Sequence, residues 1–293
     1  LPRRLTTEVC SLQPLAERLT HTVSVVLDDA GHVRRSETFL SVIRSSARLS
    51  YDEVQAFFDN HPGPGMAPPL QGVLADMRHL AAVLRHKRMA EGSLDLNMPE
   101  VKCVLDGSGR PLRVFKRGSS EAYHLIEEFM LVANCAVARR LHGARIPAIY
   151  RIHEPPDDAQ WLKMQADLRA LGFRVSPHSR DGVNRIARET AGSPREYTVH
   201  LAILRNLKRA VYSSKMLEHF GLLFPCYTHF TSPIRRYPDL VVHRMLLAVE
   251  AGRVPPYDAT EVRRIAEHCS ETERNADLAE QESVNLKRIE YYS

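Results

Sequence analysis

The sequence contains no run of apolar residues near the ~20 that a bilayer-spanning helix requires, so we expect no transmembrane segment and no membrane partner. Its five cysteines are far apart, and none forms a CxxC pair. No HxxxH or HExxH spacing relates any of its histidines. These absences argue against a zinc site and favour reduced thiols, as in a cytosolic protein. We therefore expect a cytoplasmic location.

The sequence also lacks internal repeats, low-complexity segments and a clear interdomain linker. Its first ten residues, LPRRLTTEVC, contain no initiator methionine, no apolar signal core and no transit pattern. The 293 residues suffice for one large domain or two small ones. We expect one domain over residues 1–293, in a chain that is a fragment or a processed product of a longer protein.

Positive charge is concentrated in one part of the chain. Residues 203–244 contain seven Lys or Arg side chains against two acidic ones, an excess that equals the +5 net charge of the whole chain. A positive patch of this kind suits a polyanion such as nucleic acid. A solvated basic face is the alternative. No helix-turn-helix or zinc-finger spacing supports a DNA-specific function.

Local patterns predict strands in the first half and helices throughout. Residues 22–27 and 33–45 are expected to form a hairpin about the turn Asp28-Asp29-Ala30-Gly31, which explains the acidic pair better than a metal site does. Strands are predicted at 93–96, 100–105 and 112–116. Helices are predicted from 50, with Ser50 as the cap, and at 70–90, 119–141, 157–171, 199–209 and 260–290.

The densest group of chemically capable residues lies at 219–243, in HFGLLFPCYTHFTSPIRRYPDLVVH. Ser232-Pro233 predicts a helix start, because Ser is a favoured cap and Pro is tolerated at the first helical position. Arg235, Asp239 and His243 would then share one helical face. An arginine beside a helix N-terminus suits a phosphate. The alternative is a surface helix with a solvated polar face.

Two carboxylates, Glu127 and Glu128, fall in the middle of the helix predicted at 119–141, in LIEEFMLVAN. On pattern alone, both are expected to face solvent. The same helix should turn Leu125, Phe129 and Cys135 inward, since these residues recur at helical spacing.

The motif at 219–243 resembles the diagnostic motif of the ribonuclease II / ribonuclease R family, in its RNB catalytic domain. Further similar stretches follow in family order: SLQPL at 11–15, SYDEV at 50–54, LIEEFMLVAN at 125–134, YRIHEPPD at 150–157 and RAVYS at 209–213. The resemblance covers essentially the whole chain, as the C-terminal, larger part of an RNB domain. It implies an α+β fold, with an antiparallel sheet surrounded by helices, that is incomplete at its N-terminus.

The resemblance also implies an activity: processive, Mg²⁺-dependent 3′→5′ hydrolysis of single-stranded RNA to nucleotides. Arg235 matches the arginine at the scissile phosphate. Glu127 matches a carboxylate near the terminal ribose, and Tyr51 a tyrosine whose contact with the 2′-OH would distinguish RNA from DNA. Glu280, in ADLAEQE, matches a further carboxylate near the 3′ end. The other residues assigned to RNA binding are Leu96, at the position of a clamp aromatic, and Ser232, Arg236 and His229.

Two departures from the family pattern concern the metal and the base clamp. The family's aspartate cluster has no counterpart in this sequence, so no metal ligand is assigned and the Mg²⁺ ligands are expected upstream of the chain. Leu96 cannot stack on a base as an aromatic side chain does, so we expect weaker binding of the base at this position. The flanking OB-like modules of the family are not visible either. The alternatives are a non-catalytic RNA-binding scaffold and one chain of a split RNA-decay enzyme, with an upstream fragment or other RNA-decay proteins as partners.

Overall fold

The computed structural model of the chain describes residues 2–61, 63, 66–96 and 98–293. It confirms a mixed helix-and-strand fold with antiparallel strand pairing. Within the described residues the strands pair as three two-stranded sheets rather than as one larger sheet. The chain forms two compact units. The first contains Leu1–Glu91, Ser120–His153 and Ala210–Ala266, and the second contains Gly92–Ser119, Glu154–Arg209 and Glu267–Ser293.

The elements are numbered in chain order. The strands are β1 (Glu17–Leu27), β2 (Val33–Arg44), β3 (Glu100–Leu105), β4 (Pro111–Arg117), β5 (Tyr150–Ile152) and β6 (Val211–Ser213). The helices are α1 (Tyr51–Phe58), α2 (Pro68–Glu91), α3 (Glu121–Gly143), α4 (Asp158–Ala170), α5 (Arg180–Thr190), α6 (Glu196–Leu204), α7 (Tyr237–Glu250) and α8 (Ala259–Tyr292). A short π-helical turn, Leu5–Val9, precedes β1.

The predicted hairpin at the start of the first unit is confirmed as β1–β2. Its turn is held by Asp28, whose Oδ1 accepts from the backbone N–H groups of Ala30 and His32 at 3.1 and 2.8 Å. Gly31 has φ +78°, where a side chain would be strained, and an added Cβ would come within 3.3 Å of Val83. Asp28 therefore has the turn role expected of it, and β1 begins earlier than predicted, at Glu17.

Helices α1, α2 and α3 bury the main apolar cluster of the first unit, which contains Phe58, Met66, Leu74, Ala81, Ala122 and Leu125. Helix α1 begins where predicted, because the Ser50 side chain accepts from the Glu53 N–H and the Glu53 carboxylate accepts from the Ser50 N–H. The apolar spacing of the predicted 70–90 helix turns Val73 inward, and this prediction is wrong: Val73 is 54% exposed, while the adjacent Leu74 is buried.

Strands β5 and β6 pair with each other, and backbone hydrogen bonds join β5 and the next residue, His153, to the 219–243 motif. The Arg151 N–H donates to the carbonyl of Tyr227 at 2.9 Å, and the Phe220 N–H donates to the carbonyl of His153 at 2.7 Å. The Gly221 N–H donates to His153 Nδ1 at 3.1 Å. The YRIH stretch is therefore the backbone support of the motif loop.

The second unit contains the β3–β4 hairpin and the helices α4, α5 and α6. Helix α4 starts with a capping box between Asp157 and Gln160, which confirms the helix predicted at 157–171. The strand predicted at 93–96 is wrong, since these residues have no regular structure. No described helix is long and apolar enough to cross a membrane.

Candidate functional site

The turn that carries Arg235 is not the helix start predicted from the sequence. The N–H of Arg236 donates to the carbonyl of Ser232 at 3.1 Å, which closes a turn over 232–236. Helix α7 begins only at Tyr237, with Arg236 at the cap position and Pro238 in the first turn. Pro233 and Pro238 are both acceptable at a helix start, and the structure uses Pro238.

The predicted face of Arg235, Asp239 and His243 is therefore not formed, because Arg235 precedes the helix. The solvated polar face considered as an alternative is wrong as well, since Asp239 is 0% exposed. His243 is partly buried. Its Nε2–H donates to the carbonyl of Phe230 at 2.9 Å, and its ring stacks on that of Phe230 with centroids 4.1 Å apart.

Arg235 lies at the edge of an open cavity of about 1030 Å³ within the first unit. The motif residues that line the cavity with it are Phe230, Thr231, Ser232, Pro233, Ile234, Leu240 and His243. The Arg235 side chain is exposed. No salt bridge among the described residues involves it, whereas Arg236 Nη2 is 2.7 Å from Asp239 Oδ1. Of the two adjacent arginines, Arg235 is the one whose guanidinium is available to an anion.

His229, which we assigned to RNA binding, is a neutral side chain in this structure. Burial, with the charges of Arg236 and Arg151, lowers its pKa to about 2. Its Nδ1 lies 2.9 Å from the hydroxyl of Tyr212. With its pKa lowered in this way, His229 is uncharged at neutral pH, and we expect it to act as an uncharged hydrogen-bonding group.

Tyr51 and Glu127 do not line the cavity beside Arg235. Together with Tyr123 they form a second group of residues, which we call the tyrosine cluster. The ring of Tyr51 stacks on that of Tyr123, with centroids 4.0 Å apart and an interplanar angle of 20°. Tyr123 and Glu127 are four residues apart on α3 and so project from the same face. The structure thus brings the two predicted ribose contacts to one surface through Tyr123.

The carboxylate of Glu127 is kept charged by its neighbours. A hydrogen bond with His124, whose Nδ1 is 3.2 Å from Glu127 Oε2, lowers the pKa of Glu127, and the charge of Arg88 lowers it further. Its side chain is 44% exposed. An exposed, ionised carboxylate beside two tyrosines can accept hydrogen bonds from ribose hydroxyls.

Glu128 contradicts the expectation that both mid-helix carboxylates face solvent. It is 2% exposed and accepts from Arg88, whose Nε is 3.2 Å from both of its carboxylate oxygens. Arg88 lies on α2 and is itself buried. The physical reason is a counter-charge 40 residues away in the sequence, which periodicity along α3 cannot reveal. Glu128 is therefore part of the packing between α2 and α3.

Leu96 and Glu280 both belong to the second unit. Leu96 is half-buried in an irregular segment, and Glu280 is exposed on α8. Their assignments to the RNA site stay predictions.

The described residues do not fit a metal site. They contain no group of three or more His, Cys, Asp or Glu side chains arranged to hold an ion. No step of the chemistry is therefore assigned to a metal held by these residues.

The sequence analysis did not identify Tyr123 and did not predict the burial of Asp239. Tyr123 could have been found from its four-residue spacing to Glu127 on a predicted helix. Asp239 was expected to share a helical face with Arg235, and no local pattern indicates that it is fully buried.

Comparison with known proteins gives relatives over the whole chain. Ribonuclease R of Aquifex aeolicus is 36% identical over 301 residues, which cover 99% of this chain and 42% of that protein. The structure of Mycoplasma genitalium RNase R in complex with ribose methylated single-stranded RNA matches with a TM-score of 0.92 and 26% identity, over 100% of this chain and 47% of that one. Yeast Ssd1, a pseudonuclease, matches with a TM-score of 0.72 and 21% identity, over 92% of this chain and 33% of that one, which shows a shared fold alone.

This chain thus spans less than half the length of these relatives. The sequence model of the RNB domain matches residues 1–252, which include the cavity, the turn with Arg235 and the tyrosine cluster. On that match and the similarity to ribonuclease R, the chain belongs to the RNB domain family.

Proposed function

We infer that the chain is the larger, C-terminal part of the catalytic domain of a 3′→5′ exoribonuclease that acts on single-stranded RNA. The observation that carries the proposal is Arg235. It is exposed at the edge of the cavity, in a closed turn, and no described carboxylate pairs with it. A guanidinium binds phosphate oxygens through two parallel hydrogen bonds, and a held donor of this kind stabilises charge that develops on the phosphoryl group.

The tyrosine cluster supplies the second half of the proposal. Tyr51 and Glu127 are assigned to the terminal ribose. Both side chains are partly exposed, and Glu127 is ionised. The 2′-OH is a donor and an acceptor that DNA lacks, so a carboxylate and a phenol placed against it would favour RNA. In this proposal, Arg235 binds a phosphate, and the tyrosine cluster contacts the ribose and selects RNA over DNA.

The Mg²⁺ ligands are proposed to lie outside these 293 residues. The proposal rests on two observations. The described residues contain no set of metal ligands, and the aspartate cluster of the family has no counterpart in the sequence. The residues of this chain are therefore assigned to binding and orienting RNA, to stabilising the phosphoryl charge through Arg235, and to sugar selection.

A non-catalytic RNA-binding scaffold is the second candidate function. One observation favours it: the described residues contain no group of side chains arranged to hold a metal ion. In that case Arg235 would hold RNA without contributing to hydrolysis.

The test is the incubation of a 5′-labelled single-stranded RNA with this chain, with Mg²⁺ and with a chelator. Products that shorten from the 3′ end only with Mg²⁺ would support the exoribonuclease and would mean that metal ligands are supplied from elsewhere. Binding without degradation, both in this chain and in a longer form carrying the aspartate cluster, would support the scaffold. Shortening from the 5′ end would contradict both.

A further inference from the structure

The buried carboxylate of Asp239 holds both ends of the turn that presents Arg235. Its Oδ1 accepts from the backbone N–H of Ser232, at the start of the turn, at 2.8 Å. The same oxygen accepts from Nη2 of Arg236, at the end of the turn, at 2.7 Å. One oxygen atom thus ties together the two residues that enclose Pro233, Ile234 and Arg235.

The carboxylate is itself firmly placed. Asp239 lies in the first turn of α7 and is 0% exposed. Its second oxygen, Oδ2, is buried and has no hydrogen-bond partner among the described residues. The two bonds at Oδ1 therefore provide the polar contacts that hold the turn on the helix. Both involve a charged acceptor, which makes them stronger than neutral hydrogen bonds.

Arg235 depends on this arrangement because its own side chain has no such support. Its guanidinium is exposed and has no salt bridge in the described part of the chain. The position of its Cα is therefore set by the turn, and Asp239 bonds to both ends of that turn. A binding group must be held within about 0.5 Å to act well.

We propose that Asp239 is a positioning residue that places Arg235 for an RNA phosphate by holding both ends of the turn over 232–236. The proposal rests on the proposed function, in which Arg235 contacts phosphate. It assigns no contact with RNA to Asp239. It also gives Arg236 a structural role, since the Arg236 guanidinium is occupied by Asp239.

The first test measures the clamp without RNA. Hydrogen exchange at the Ser232 amide should be protected in the wild-type chain. In Asp239→Ala that protection should fall at least tenfold, as expected for the loss of a hydrogen bond to a charged group. Asp239→Asn retains an acceptor and should keep part of the protection. Asp76→Asn, at an exposed carboxylate on α2, is the matched control and should change nothing. Unchanged exchange in Asp239→Ala would refute the clamp.

The second test asks whether Asp239 acts through Arg235. The affinity for a single-stranded RNA is measured at several salt concentrations, in the presence of a chelator. Loss of one phosphate contact should lower the slope of log affinity against log salt by about 0.7. Arg235→Ala and Asp239→Ala should each show this decrease, Asp239→Asn a smaller one, and the double variant no more than Arg235→Ala alone.

The outcomes separate the two proposals. A normal slope in Arg235→Ala would contradict the phosphate role of Arg235, and with it the proposed function. A lowered slope in Arg235→Ala together with an unchanged or steeper slope in both Asp239 variants would overturn the positioning role alone. Additive decreases in the double variant would also overturn it, because residues that act through one another are not additive.

Discussion

Glu127 and Glu128 are adjacent on α3 and are predicted to have opposite roles. Glu128 is buried against Arg88, while Glu127 is 44% exposed beside the tyrosine cluster. We therefore expect Glu128→Gln to destabilise the protein and Glu127→Gln to weaken the preference for RNA over DNA at the 3′ end. Each variant is the matched control of the other, because both make the same chemical change one residue apart.

The magnitude for Glu128→Gln follows from the ion pair that it breaks. Removing one partner of a buried pair costs about 3–5 kcal/mol, since the remaining charge is left in a poorly solvated site. Arg88 retains Glu127, whose Oε1 is 3.4 Å from Arg88 Nη2, so the lower end of the range, about 3 kcal/mol, is expected. Glu127→Gln breaks a more exposed pair and should cost less than about 1 kcal/mol.

The assay is thermal unfolding followed by circular dichroism at pH 7. A loss of about 3 kcal/mol should lower the melting temperature of a domain of this size by roughly 6–12 °C. The double variant Arg88→Met, Glu128→Leu should recover most of the loss, because it replaces the pair with apolar side chains of similar volume. Equal melting temperatures for Glu128→Gln and Glu127→Gln would refute the assignment of Glu128 to the interior.

Three further predictions concern the site. In whichever form of the protein degrades RNA, Arg235→Ala should reduce turnover by roughly 100-fold or more and leave RNA binding largely intact. Arg253→Ala, at an exposed arginine, is the control. Strong activity in Arg235→Ala would exclude the role of Arg235 at the phosphate. Tyr51→Ala and Tyr123→Ala should both weaken the selection of RNA over DNA. Tyr123→Phe should retain this selectivity because the ring stack with Tyr51 survives. Equal selectivity in all three variants would remove Tyr51 and Tyr123 from the sugar site. Burial and nearby arginines lower the pKa of His229 to about 2, so the unfolded chain binds a proton first and stability should fall as pH drops below about 6.5. His229→Gln should flatten that fall between pH 6.5 and 4 in unfolding experiments, and an unaltered pH profile would contradict the shift.

Features set by neighbouring residues were predicted well from the sequence. The capping boxes at Ser50 and Asp157 depend on a partner three residues away, and both form. The turn at Asp28 depends on backbone groups two and four residues on, and it also forms. Each of these signals is complete within one short stretch, and the structure forms each of them.

Features set by distant residues were not predictable in this way. Glu128 is buried because Arg88, on another helix, meets it. Ser232 is of a residue type that commonly caps helices, but it does not cap one here. Its N–H donates to Asp239 of α7, and α7 begins only at Tyr237. The resemblance to a family proposed the candidate site residues, while their packing required the structure.

The central claim is that the 3′ end of RNA binds at the surface around Arg235. It is tested most directly by photo-crosslinking a single-stranded RNA that carries 4-thiouridine near its 3′ terminus, in a chelator, and identifying the linked peptides by mass spectrometry. The same label at the 5′ terminus is the control. We expect crosslinks from the 3′ label to residues that line the cavity, such as 230–235, and their loss with the 5′ label. Crosslinks confined to other surfaces, or identical for the two labels, would contradict it.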